Sequence, residues 1–173
     1  MAIRKVGVIG CGLMGSGIAQ VSAQAGFPTV VREVSANALE KGLGSIRRFL
    51  QGGVDKGKLA AADMERALAN LSGTTDLAAL ADCDLVVEAA TENLGLKREL
   101  FSSLDTLCPP STILASNTSS LSITEMAAFT KRPARVIGLH FFNPVPLMKL
   151  VEVVKTVSTD AAVLADANAW VLA

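Results

Sequence analysis

The sequence has no tyrosine, a single histidine and one tryptophan, and aromatic residues make up only 4% of its 173 positions. Binding platforms for single-stranded nucleic acid need aromatic faces in series, so that class is excluded. Neither sign of charge is in excess, with 16 Lys+Arg against 16 Asp+Glu. The electrostatic footprint of a protein that tracks a nucleic-acid backbone or an anionic membrane is therefore missing, and neither is expected as a partner. A small polyanion can still bind locally. The three cysteines, Cys11, Cys83 and Cys108, are odd in number, widely spaced and without a CxxC pair. That is neither a disulfide framework nor a zinc site, so no metal is expected and the thiols read as small buried hydrophobes. Uninterrupted apolar runs are lacking too. The 26 uncharged residues 6–31 follow Arg4 and Lys5 and imitate a signal peptide, but Gly7, Gly10, Gly12, Gly15, Gly17, Gln20, Gln24 and Pro28 break any continuous apolar helix.

What is present is a chain of one-domain length, half of it hydrophobic, enough to bury a core. Short β-branched runs alternate with helical patterns. Strands are predicted over 4–9, 29–32, 71–75, 84–89, 112–116, 135–140 and 149–154. Helices are predicted over 13–25, from Ser35 to a break at Gln51-Gly52-Gly53, and over 60–71, 94–107, 122–129 and from 160 onward. This order predicts an α/β fold, a doubly wound and mostly parallel sheet with helices on both faces and a helical insertion after the second strand. Its ligands belong at the carboxyl ends of the strands. The last residues, Asn168 to Ala173, lie inside a helical pattern, which reads as part of something longer.

Gly10-Cys11-Gly12-Leu13-Met14-Gly15 is a G-x-G-x-x-G string that follows a strand and opens a helix. The first glycine permits the tight turn, the second lets a diphosphate approach the backbone, and the third packs helix on sheet. No G-K-[ST] follows, so the P-loop reading fails. Glu33, 23 residues beyond Gly10, closes the second strand, where a carboxylate accepts hydrogen bonds from an adenosine ribose and repels a 2′-phosphate. Arg32 beside it could welcome that phosphate, so NAD is preferred over NADP without NADP being excluded.

His140 falls at the predicted carboxyl end of a strand, and twelve residues later Glu152 interrupts the apolar run Leu150-Val151-Glu152-Val153-Val154. An unpaired carboxylate is expensive to bury there, and pairing with His140 removes that cost. Such a pair fixes the imidazole tautomer and equips it to exchange a proton with a substrate hydroxyl during hydride transfer. Ser116-Asn117-Thr118-Ser119-Ser120 ends another strand and either binds a substrate oxygen or caps the next helix. Glu92 and Lys97 either meet cofactor or substrate or form a solvated helix start.

Together the stretch Val6 to Gly15, Val87-Glu88-Ala89 with Glu92-Asn93, Ser116-Asn117-Thr118-Ser119, and His140-Phe141-Phe142-Asn143-Pro144 with Leu150-Val151-Glu152-Val153-Val154 resemble the NAD-binding, Rossmann-type domain of the L-3-hydroxyacyl-CoA dehydrogenases, bacterial 3-hydroxybutyryl-CoA forms above all. The resemblance implies an NAD-dependent, cytoplasmic enzyme of fatty-acid and butanoate metabolism that interconverts L-3-hydroxyacyl-CoA and 3-ketoacyl-CoA. It implies His140 as acid/base, Glu152 as its partner and Ser119 at the substrate oxygen. Gly10, Gly12, Leu13, Met14, Gly15, Glu33, Glu92, Lys97, Ser119 and Asn143 would line the cofactor, and Lys56 and Lys97 would approach the CoA portion. The family has Asp where this chain has Glu33. It also has a second, all-helical domain that supplies another catalytic asparagine, much of the acyl-CoA pocket and a homodimer contact. Residues 1–173 are expected to be the NAD-binding domain alone, with trace activity at best. A nicotinamide-binding module without turnover and a related Rossmann dehydrogenase of a free hydroxy acid are the competing readings.

Overall fold

The computed structural model describes residues 2–173. β1 (Val6–Ile9), α1 (Leu13–Gln24) and β2 (Thr29–Arg32) are followed by a helical pair, α2 (Ala36–Asp55) and α3 (Ala61–Ala69), which leads into β3 (Leu71–Thr74). The chain continues as β4 (Leu85–Glu88), α4 (Leu94–Leu107), β5 (Ile113–Ser116), α5 (Ile123–Ala127), β6 (Val136–Phe141), β7 (Val151–Val154) and α6 (Ala161–Val171). The strands form one sheet in the order β3-β2-β1-β4-β5-β6-β7. All neighbours pair in parallel except β6 and β7, which are antiparallel. This is the expected Rossmann-type architecture. From β1 the chain winds outward through β2 and β3, then returns to place β4 on the other side of β1. Crossovers leave in opposite directions there, and a crevice opens at the carboxyl ends of β1 and β4.

Burial on both faces explains the strand composition. Val6, Val8, Val31, Leu85 and Val87 pack with Ile18 and Ala19 of α1 and Ile46 and Leu50 of α2. Ile9, Val86, Leu114 and Val136 point the other way, into Phe101 and Leu104 of α4 and Met126 of α5. With both faces covered, the central strands β1, β4 and β5 are buried along their whole length and read as mostly apolar runs.

Two predicted boundaries are corrected. The break expected at Gln51-Gly52-Gly53 does not occur, and α2 runs through it to Asp55. Each interior glycine costs a helix about 1 kcal/mol relative to alanine, and the buried face formed by Gly42, Ile46 and Leu50 offsets that cost. The helical pair turns later, at Gly57, whose φ of +64° is the left-handed conformation in which glycine ends helices. The last strand begins at Val151 and not at Lys149, since pairing with β6 starts where Val151 meets Phe141.

Candidate active site

The glycine loop turns directly from β1 into α1. Gly10 has φ +94°, and a Cβ there would lie 2.7 Å from the carbonyl oxygen of Ala89. A Cβ on Gly15 would lie 2.0 Å from the Gly10 carbonyl oxygen, so the helix can approach the loop only with glycine at this position. Gly12 differs, because a Cβ there would meet nothing within 4 Å. The protein's own packing gives no reason for a glycine at Gly12, whereas a diphosphate laid on the backbone would. Gly12 is also the N-cap of α1 and has no side-chain cap, which leaves the first-turn N–H groups aimed at that open space.

Glu33 fastens this loop to the end of β2. Its carboxylate accepts the Cys11 N–H at 2.8 Å and the Val34 N–H at 2.7 Å. The Cys11 thiol is pushed up to about 11, first by burial and then by the Glu33 charge, so it stays protonated and inert at neutral pH. A cavity of about 410 Å³ runs from Gly10, Gly12, Leu13 and Met14 past Arg32, Glu33 and Val34 to Leu96 and Leu100 of α4. Open space at the second glycine, a carboxylate at the end of β2 and an apolar slot beyond it fit an adenine dinucleotide.

His140 and Glu152 face each other across the antiparallel pair of β6 and β7, in direct register. Nδ1 of His140 lies 2.7 Å from Oε2 of Glu152, so the bond to Glu152 uses Nδ1 and leaves Nε2 as the nitrogen available to a substrate. The Phe142 ring sits 4.6 Å from the imidazole, centroid to centroid, and limits its rotation. The pair forms as expected, but the reason given for it from sequence is wrong. The Glu152 side chain is 55% exposed, against 23% for His140, because β7 is the sheet's edge. Strand register brings the two together; desolvation does not.

The expense of a buried carboxylate in an apolar strand applies instead to Glu88, which ends β4 with no exposed surface. Lys97 of α4, also buried, donates to both Glu88 oxygens at 2.7 and 2.8 Å. The Ser116 hydroxyl at the end of β5 donates to the same carboxylate at 2.6 Å, as does the Ala90 N–H at 2.8 Å. Lys97 also lies 3.2 Å from Glu92. The expected approach of Lys97 to CoA is thus corrected: its side chain is 1% exposed and its ammonium is held between two carboxylates. The alternative of a solvated helix start fails for Lys97 for the same reason, whereas Glu92 is exposed.

Glu92 in turn accepts hydroxyls from Thr118 and Ser120, bracing the loop that carries Ser119. Partial burial raises the Glu92 carboxyl, and the Thr118 hydroxyl, the Lys97 charge and the Ser120 hydroxyl outweigh it, leaving the group below its usual value. Ser119 is exposed, and its hydroxyl has no partner among the described residues. Asn117, which had no individual role in the sequence reading, accepts the Phe141 N–H at 2.9 Å and ties this loop to β6. Asn143 is exposed just beyond β6 and lines one small cavity with Leu13 and Ser16, so the loop after β6 and the start of α1 share a wall. Lys56 lies apart from these residues. It lines a groove of about 580 Å³ with Arg48, Phe49, Lys58 and Pro146; the cations Arg48 and Lys58 had no signal in the sequence beyond their charge.

Residues 5–173 match the family described as the NAD binding domain of 3-hydroxyacyl-CoA dehydrogenase. The chain is 46% identical over 169 residues to the probable 3-hydroxybutyryl-CoA dehydrogenase of Bacillus subtilis, covering 98% of this chain and 59% of that protein. It is 50% identical over 162 residues to the 3-hydroxyadipyl-CoA dehydrogenase of Escherichia coli, covering 94% of this chain and 34% of that one. Among solved structures, a 3-hydroxybutyryl-CoA dehydrogenase from Escherichia coli superposes with a TM-score of 0.97 at 48% identity, covering 99% of this chain and 36% of the other. The chain thus spans no more than 59% of the length of these relatives.

Proposed function

Because this chain belongs to the family of NAD-binding domains of 3-hydroxyacyl-CoA dehydrogenases, we propose that it forms the cofactor-binding and proton-transferring part of an enzyme that interconverts L-3-hydroxyacyl-CoA and 3-ketoacyl-CoA, with short acyl chains as substrates. The observation that carries this reading is the His140–Glu152 pair, 2.7 Å apart at the carboxyl ends of the strands where the glycine loop opens. Gly10, Gly12, Leu13, Met14 and Gly15 would cradle the diphosphate of NAD, with Glu33 at the adenosine ribose. Bound NAD supplies the acceptor for the hydride that leaves C3 of the substrate.

The chain's own residues handle the proton. Nε2 of His140 takes it from the 3-hydroxyl as the C3–H bond breaks, and in reverse returns it to the developing alkoxide. Glu152 keeps the Nδ1–H toward itself and stabilises the imidazolium. Ser119 donates to the substrate oxygen, Asn143 and Ser119 line the nicotinamide end, and Glu92 holds the Ser119 loop in place. Lys56, with Arg48 and Lys58 around the same groove, would meet the phosphates of CoA. Lys97 acts as a positioning residue through Glu88 and Glu92. A further helical domain of the full enzyme would complete the acyl pocket and the homodimer. Among the described residues no helix is long and apolar enough to cross a membrane. The resemblance to bacterial 3-hydroxybutyryl-CoA dehydrogenases is what suggests a cytoplasmic reaction.

The glycine loop and the cavity beside it suit nucleotide binding in their own right, so a second reading is that of a module that binds NADH without turnover. Titration of NADH fluorescence, run beside NADH oxidation by acetoacetyl-CoA and by acetoacetate, separates the possibilities. Binding with acetoacetyl-CoA turnover supports the dehydrogenase, and binding alone supports the module. Preference for free acetoacetate would point to a hydroxy-acid dehydrogenase, and absence of NADH binding would sink the cofactor assignment.

A further inference from the structure

β6 runs to Phe141, but its pairing with β5 ends where Ser116 meets Gly138. Among the described residues, the end of β6 that carries His140 therefore has a strand partner on one side only, β7. A backbone N–H facing the other side needs an acceptor from elsewhere. Asn117, the residue just past β5, supplies it. Its own N–H donates to the Glu88 carbonyl at 2.8 Å, anchoring it to β4. Its side-chain oxygen accepts the Phe141 N–H at 2.9 Å, across 24 residues of sequence. The amide thus stands in for the strand that β5 no longer provides, one residue from the imidazole. Because the bond uses the oxygen, it fixes which way the amide group points. Two residues along the same loop lies Ser119, and Glu92 braces that loop through Thr118 and Ser120. One short side chain therefore ties the loop bearing Ser119 to the strand end bearing His140.

From this we infer that Asn117 is a positioning residue: by holding Phe141 it fixes the His140 ring against Glu152 on one side and toward the Ser119 loop on the other. The inference rests on the reading of His140 as the group that exchanges the proton. It makes the acceptor oxygen the part of the side chain that matters. Misplacing a reacting group by about 1 Å costs on the order of a hundredfold in rate, so the contact acts on proton transfer and not on cofactor affinity. The test compares the unaltered chain with Asn117→Leu and Asn117→Ala, which both lose the acceptor, and with Asn117→Asp, which keeps it. His140 is the only histidine, so the nitrogen resonances of an isotope-labelled chain report its ring alone. At alkaline pH, where imidazole is neutral, the unaltered chain should carry the ring proton on Nδ1, the tautomer that Glu152 holds. Asn117→Leu and Asn117→Ala should shift the ring to a mixture of tautomers and slow acetoacetyl-CoA reduction roughly tenfold to a hundredfold, with NADH affinity kept within about twofold. Asn117→Asp should restore the tautomer and most of the rate. An unchanged tautomer in the two acceptor-free variants overturns the inference. So does an equal defect in Asn117→Asp, and so does a tenfold loss of NADH affinity, which would make Asn117 a cofactor ligand. Should the chain bind NADH without turnover, the tautomer and its rescue decide the same question. Absence of the Nδ1–H tautomer from the unaltered chain overturns the His140–Glu152 reading itself, whereas its persistence in Asn117→Leu removes only the role of Asn117.

Discussion

At the scale of single residues, His140 and Glu152 differ in what each removal should cost. Loss of a general acid/base usually lowers turnover by about two to four orders of magnitude, so His140→Gln should leave NADH affinity nearly intact and reduce acetoacetyl-CoA reduction by that much. Glu152→Gln should cost less. In a buried acid–histidine pair, exchanging the acid for its amide costs about 10⁴ in turnover. Glu152 is more than half exposed, so water shares the stabilisation of the imidazolium, and we expect a loss of roughly tenfold to a hundredfold. Steady-state kinetics on both variants checks the order, and equal losses would mean that the carboxylate does more than orient the ring. The same exposure shows where sequence reasoning went astray. Leu150 to Val154 gives no sign of whether its strand lies inside the sheet or at its edge, and that position decides whether a carboxylate is desolvated. The run Leu85-Val86-Val87-Glu88 carried the same signal, and there the carboxylate is fully buried.

Among the elements, the turn from β1 into α1 is the most demanding piece of local geometry. With 2.0 Å between a Cβ on Gly15 and the Gly10 carbonyl oxygen, an alanine fits only if α1 moves away from the loop. Gly15→Ala should therefore weaken NADH binding at least tenfold and lower the melting temperature, by fluorescence titration and circular dichroism. Binding within twofold of the unaltered chain would show that the loop does not carry the diphosphate. This element was legible because each glycine has a local reason, and α4 was legible from end to end because Asn93 caps it and its apolar face is periodic. The ends of α2 and β7 were not. Both are set by partners distant in sequence, the core under Ile46 and Leu50 in one case and Phe141 in the other. Lys97 belongs with these, since its burial depends on Glu88, whose place under the α4 start comes from the crossover and not from local sequence.

For the molecule as a whole, three free thiols lie buried, Cys11, Cys83 and Cys108. Burial pushes Cys83 from the usual 9.0 to about 12, and burial with the Glu33 charge takes Cys11 to about 11. The unfolded chain releases these protons near 9 while the folded chain keeps them. In that window the native state binds more protons, so their contribution to stability is complete below pH 9 and declines as pH rises toward 11 and 12. Urea denaturation should show a lower midpoint at pH 10.5 than at pH 8, and at pH 8 the native thiols should react with iodoacetamide far more slowly than those of the unfolded chain. An unchanged midpoint, or rapid labelling of the folded chain, would contradict this burial. The mostly parallel sheet and the ligand side at its carboxyl ends followed from the alternation of strand and helix, whereas the strand order was not read from it.

The position of β7 has a consequence for durability. This four-residue strand has β6 on one side and no strand on the other, and it bears the acid of the pair proposed to move the proton. Outer ribbons open at less free energy than central ones, so proton transfer and the fold need not fail together. Warming should detach Glu152 from the imidazole while β1 and β4 are still locked, giving a catalyst that falls silent before it unravels. Deuterium uptake over Val151–Val154 ahead of Val6–Ile9, with inactivation preceding the loss of helical ellipticity, would record that sequence of events; equal protection at the two strands would refute it.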